Sequence, residues 1–317
     1  MSTIPAKIDV DRQPPMTIPL RHFLLGLGFL GLGGIAGLAN LFDIGSGLVL
    51  TAQLHLLFVG WICVTIMGAM TLFVPVWTGT SLHDRRLAHV QLVLVAVGTL
   101  GFASSLLTMN FSVGAGFALL MLLGFWTFIY NVARTMLADR QLDRTTRHFW
   151  IALGFFLALT TFGVALAIDF QTAYLDAVGI ARTSLVLAHL TLAVFGAVVT
   201  TIIGAMYQLG TMFTQTSLRA GDRRLAIIEE VCYPSGVVLL AAGRFLDAGG
   251  IARIGGVLLV IGLVAFAAVM GRKLLKTRVP WTPMHRRYSV GVSSLLLWGS
   301  LTLPAWVAAP IDYETRF

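Results

Sequence analysis

Nine apolar runs of about twenty residues recur along this 317-residue chain. A run of that length is what a helix needs to cross the hydrocarbon core of a bilayer. They predict helices over roughly 22–42, 48–77, 88–108, 112–136, 148–169, 183–213, 226–246, 251–275 and 288–309. The expected fold is therefore all-α: a polytopic membrane helix bundle of about nine transmembrane helices. Composition agrees, because only 11% of the residues are charged, against roughly a quarter in a globular chain. The second and sixth runs are long enough to tilt or to project beyond the membrane.

The net charge of +8 invites a nucleic-acid reading, and the distribution of that charge removes it. All but four of the 22 Lys and Arg fall in the N-terminal tail and in alternate loops; the exceptions are Arg182, Arg244, Arg253 and Arg316. The positive-inside rule then puts the N-terminus in the cytoplasm and the C-terminus outside a prokaryotic cytoplasmic membrane. Residues 1–20 are polar and proline-rich without an apolar core, so no cleavable signal peptide is expected. Cys63 and Cys232 lie in different helices without metal spacing and read as small core residues.

One hairpin is written twice. His55 to Gly60 leads to Gly68-Ala69-Met70, Thr80-Ser81-Leu82 and Asp84-Arg85-Arg86. His189 to Gly196 leads to Gly204-Ala205-Met206, Thr216-Ser217-Leu218 and Asp222-Arg223-Arg224. Upstream, 22–43 aligns with 148–169 without a gap, starting at His22-Phe23 and His148-Phe149. The chain then divides into a tail (1–21), two four-helix repeats (22–147 and 148–280), and a ninth helix with an outer tail (281–317). An even number of helices per repeat keeps both copies in one orientation, so matched residues are expected at equal depth.

A histidine inside a bilayer is costly and is a functional-site hypothesis by default. His55 and His189 are matched and lie near the outer ends of their helices, so they are the expected metal ligands. Two imidazoles on facing helices suit the iron of a b-type haem; copper, a proton site and a structural role are the alternatives. Gly196 lies at i+7 from His189, below it on a helix of ordinary winding. That position either leaves room for a flat macrocycle or serves close helix packing. Arg182 and Arg244 are candidate anchors for haem propionates, with Asp176 and Asp247 as alternative partners. His22 and His148 form a second pair, expected at the cytoplasmic interface and read mainly as snorkelling side chains rather than ligands of a second cofactor. Glu229 and Glu230 are expected to pair locally with Arg223 and Arg224, proton relay or quinol binding being the alternative. Tyr207 and Gln208 could line a small cavity. His83, His89 and His285 are expected to be solvated.

The stretch Leu54-His55 to Gly60, followed by Phe73-Val-Pro75-Val-Trp77-Thr-Gly79, resembles the NnrS family of membrane haem proteins. It is also similar to the second helix of haem–copper oxidase subunit I. The resemblance implies haem binding through His55 and His189 and a link to electron transfer, nitric oxide or denitrification. The further histidines of an oxidase binuclear centre are missing, so catalytic oxygen or nitric oxide reduction is not expected. Expected partners are the lipid bilayer, a redox protein or quinol, and further copies of the chain or an oxidase-type complex. The other readings are a transporter built of parallel repeats and a non-catalytic accessory subunit of a terminal oxidase or nitric oxide reductase.

Overall fold

In the computed structural model, which describes residues 9–45, 48–139 and 142–311, the described residues form helices and no strand. Nine of these helices are long and apolar enough to cross a membrane: α1 (Thr17–Leu41), α2 (Val49–Thr78), α3 (Arg85–Leu107), α4 (Phe111–Met136), α5 (Arg144–Thr172), α6 (Arg182–Thr214), α7 (Ala220–Phe245), α8 (Gly249–Leu275) and α9 (Pro283–Ala308). The chain is a multi-pass membrane protein by this measure.

Several helices begin earlier than the apolar runs suggest. Apolarity marks the hydrocarbon layer, whereas capping marks where the helix itself starts. Asp84 accepts from the Arg86 N–H at 2.6 Å at the start of α3. Asp143 accepts from the Thr146 N–H at 2.8 Å at the start of α5. Asp222 accepts from the Arg219 N–H at 2.9 Å and so extends α7 back into its basic loop. At α9 the signals are Thr282 at the cap and Pro283 in the first turn, a position where proline's missing N–H costs nothing.

The chain forms two compact units by contact, one holding residues 9–139 and 156–180, the other 142–155 and 181–311. In the first unit, α1 lies on α2 across glycines. A side chain at Gly60 would strike the Phe29 ring, and a Cβ at Gly68 would lie 2.7 Å from the His22 Cβ. In the α3–α4 hairpin, a Cβ at Gly98 would lie 2.7 Å from the Met121 nitrogen, and one at Gly124 2.9 Å from that of Val95. Phe29, Leu56, Phe102, Leu106 and Met121 fill the core of this unit.

The second unit uses the same devices at shifted positions. Gly196 faces Phe155, and a Cβ at Gly204 would lie 2.7 Å from the His148 Cβ. In α7–α8, Gly236 faces the Leu259 backbone, and a Cβ at Gly262 would lie 2.7 Å from the Tyr233 nitrogen. Each contact repeats one in the first unit with a shift of 126 positions in α5, 136 in α6 and 138 in α7 and α8. The helix ends follow suit. Gly79 and Gln215 close α2 and α6 in the left-handed region at φ 67° and 52°. Hydroxyl pairs flank both ends, Thr78 with Thr80 at 2.7 Å and Thr214 with Thr216 at 2.6 Å.

Without a hydrophobic drive between helices in lipid, association rests on such close backbone approach. Gly262→Ala should therefore lower the thermal unfolding midpoint in detergent, by the equivalent of about 1–3 kcal/mol for overpacking. Gly291→Ala, at a position with nothing within 4 Å of the added carbon, should leave it unchanged.

Candidate functional site

His55 and His189 both stand where a membrane helix changes its winding. Immediately after His55, residues Leu56–Cys63 of α2 form a π-helix. Two residues separate His189 from the π-helix of α6, Leu192–Val199. The i→i+5 pattern widens the helix and rotates the faces that i+4 and i+7 counting would assign. Such segments recur at functional sites.

In the first unit His55 is half-buried. Its Nδ1 lies 2.8 Å from the Thr51 carbonyl oxygen. A carbonyl only accepts, so Nδ1 carries the proton and Nε2 is the lone-pair nitrogen. The ring meets Phe102 edge-on, with centroids 4.9 Å apart. The start of α2 is fixed by the Leu48 N–H donating to the Leu106 carbonyl at 3.2 Å. Among the described residues Nε2 has no hydrogen-bond partner.

In the second unit His189 is half-buried in the turn before the π-helix. Two residues on, the Thr191 hydroxyl donates to the Leu187 carbonyl at 2.7 Å and accepts from Arg244 Nη1 at 2.9 Å. Arg244 is fully buried, its Nε donates to the Pro310 carbonyl at 3.0 Å, and its guanidinium lies 5.0 Å from the Trp306 ring centroid. Arg182 opens α6 and is half-buried. The π-helix here exposes the Phe195 carbonyl, which accepts from Tyr233 OH at 2.5 Å and Thr200 Oγ1 at 3.1 Å.

Gly196 does not open a space for a macrocycle. A Cβ there would lie 2.9 Å from the Phe155 ring, so the glycine admits that ring and serves close packing. The i+7 argument assumed ordinary winding, which the π-helix replaces.

The interfacial reading of His22 and His148 is also corrected, since both are fully buried. His22 Nδ1 donates to the Ile18 carbonyl at 2.9 Å, and its Nε2 lies 3.4 Å from the Gln91 amide nitrogen. His148 Nδ1 donates to the Arg144 carbonyl at 2.8 Å, and its Nε2 lies 2.9 Å from Glu229 Oε1. With both ring nitrogens engaged, neither is presented as a ligand for a second cofactor. Glu229 does not turn to Arg223 or Arg224; its other oxygen accepts from Tyr207 OH at 2.8 Å. Glu230 takes the arginines, Arg147 at 2.6 Å and Arg144 at 3.5 Å. Tyr207 is buried in this network rather than lining a cavity. His285, expected in solvent, is buried; its Nδ1 lies 2.9 Å from the Thr282 hydroxyl and its Nε2 2.9 Å from the Phe213 carbonyl. Both cysteines are free thiols, Cys63 buried and Cys232 half-buried.

The His148–Glu229–Tyr207 network is what sequence reasoning missed. Its signal was present in the shift of 138 that relates Gln91 to Glu229, once the shift of 126 had paired His22 with His148.

Among the described residues no three His, Cys, Asp or Glu side chains converge as a metal site. No family model matches the chain, and no curated protein matches it.

Tyr233→Phe removes a donor from the Phe195 carbonyl in the widened turn. A buried neutral hydrogen bond contributes about 1 kcal/mol. A drop of that size in unfolding free energy is expected, read from thermal or denaturant unfolding in detergent.

Proposed function

We propose that this chain is a haem-binding protein of a prokaryotic cytoplasmic membrane. His55 and His189 are its iron ligands, holding one b-type haem towards the outer face. Its role is electron transfer or a response linked to nitric oxide. The observation that carries this reading is the state of His55. Its Nδ1 is committed to the Thr51 carbonyl and its Nε2 lone pair has no partner among the described residues. Metal-binding histidines are oriented in this way, the second nitrogen donating to a carbonyl so that ring angle and tautomer are set.

Further support comes from the second unit. The shift of 136 seen in α6 matches His55 to Thr191, and His189 is the histidine two residues before that position. Arg244 is a buried cation bonded to Thr191, two residues from His189, and is suited to a propionate oxygen. A haem with two imidazole ligands supplies a one-electron site. The chain's own part is to fix the His55 ring through Thr51 and to pack it against the apolar Phe102 ring.

The two-repeat organisation and the orientation with the N-terminus inside belong to the same proposal. The recurrence of glycine contacts at constant shifts supports the repeat, and the loop charge supports the orientation. A transporter with parallel repeats would be expected to break its helices near the midplane. Here α2 and α6 run without interruption, widening into π-helices instead, which favours the haem reading.

The visible spectrum of the detergent-purified protein tests it. Sharp α and β bands on reduction are expected, and His55→Ala or His189→Ala should each abolish them while His285→Ala keeps them. Colourless protein from cells supplied with haem would overturn the assignment. A reporter fused after residue 317 should be active only outside the cytoplasm, and activity inside would reverse the orientation.

A further inference from the structure

We propose that His148, Glu229 and Tyr207 form a proton-binding site, separate from His55 and His189, in which one exchangeable proton is held between Glu229 and His148. The Arg144 carbonyl accepts from His148 Nδ1 at 2.8 Å, so that nitrogen keeps its hydrogen throughout. The 2.9 Å contact between His148 Nε2 and Glu229 Oε1 then needs a single proton. It sits on Nε2, giving an imidazolium and a carboxylate, or on Oε1, giving a neutral imidazole and a carboxylic acid.

Uptake of a second proton from water either puts a donor on both sides of this contact and breaks it, or goes to Glu229 Oε2 and reverses the bond with Tyr207. Loss of the shared proton leaves two lone pairs facing each other. The bond that joins α5 to α7 therefore requires a proton on the pair. Tyr207 from α6 donates to Glu229 Oε2 at 2.8 Å, so it stabilises the carboxylate form.

The surroundings suit exchange rather than a sealed contact. Glu229 and His148 are buried, yet the next residue, Glu230, lies at the surface of the unit with Arg144 and the half-exposed Arg147. The titratable and charged groups facing the pair among the described residues are thus Arg144 and Arg147 from α5, Tyr207 from α6, and Glu230 and Tyr233 from α7. From α8 the Phe266 ring packs on Tyr207, with centroids 5.8 Å apart.

The other unit supplies an internal control. The matched pair is His22 and Gln91, where the Ile18 carbonyl fixes Nδ1–H and the Gln91 amide faces Nε2 at 3.4 Å. An amide has no exchangeable acid proton to share in this way. One site per chain is therefore expected, in the second unit alone.

Infrared difference spectroscopy on the protein reconstituted in phosphatidylcholine vesicles, titrated with pH, tests this directly. One carboxylic C=O band is expected to appear and vanish with pH and to shift in heavy water. It should be missing in Glu229→Gln and retained in Glu230→Gln. Tyr207→Phe should keep the band and move its midpoint to higher pH, because the carboxylate loses a donor. Histidine labelled with carbon-13 should report a ring change at the same midpoint, lost in His148→Gln. If Glu229→Gln does not fold, the Tyr207→Phe displacement and the label carry the decision. A wild-type protein whose carboxyl bands do not respond to pH, or respond identically in Tyr207→Phe, would overturn the proposal and leave a structural network.

Discussion

Lipid offers no hydrogen bonds, so every backbone N–H and C=O inside the bilayer must be satisfied within the protein. This constraint forces the apolar runs into helices and pushes irregular backbone to the membrane surfaces. What variation remains inside the membrane is of two kinds: how closely helices approach, and how tightly each is wound. Glycines set the first, at Gly60 and Gly68 on α2 and at Gly196 and Gly204 on α6. The π-helices at Leu56–Cys63 and Leu192–Val199 set the second. Both candidate ligand histidines stand beside these two devices.

The widened turns show how a backbone can be altered without leaving a polar group unsatisfied. In α6 the Phe195 carbonyl is met by hydroxyls from Tyr233 and Thr200. The corresponding position to Tyr233 in the first unit is Val95, which packs on Gly124 as Tyr233 does on Gly262 but carries no hydroxyl. A buried arginine is treated in the same spirit: Arg244 finds a carbonyl, a hydroxyl and an indole face rather than water.

The helices themselves were legible because hydropathy reports the hydrocarbon layer directly, and the nine expected spans match the nine described. Their polar starts were less so, since Asp143, Asp222 and Thr282 extend helices through capping that an apolar run does not record. At Gly196 the sequence leaves two uses open, and the Phe155 ring decides for close packing. Face assignments from sequence presume 3.6 residues per turn, and nothing in Leu192–Val199 announces otherwise. His22 and His148 are expected at the cytoplasmic interface because they begin apolar runs. Their burial depends on partners 69 and 81 positions away, at Gln91 and Glu229, and such distant pairings leave no local trace. The orientation of His55 by Thr51 could be seen only in three dimensions.

Arg244 also has a consequence for biosynthesis. Its hydrogen-bond partners, Thr191 on α6 and Pro310 beyond α9, emerge from the ribosome before and after it. Trp306, the ring beneath the guanidinium, arrives late as well, and it settles against Gly256 of α8. Until then α7 carries a cation whose stacking surface is still missing. Completion of that pocket therefore waits for the ninth helix. The ninth helix works as a bolt, closing a lock whose other parts were laid down earlier.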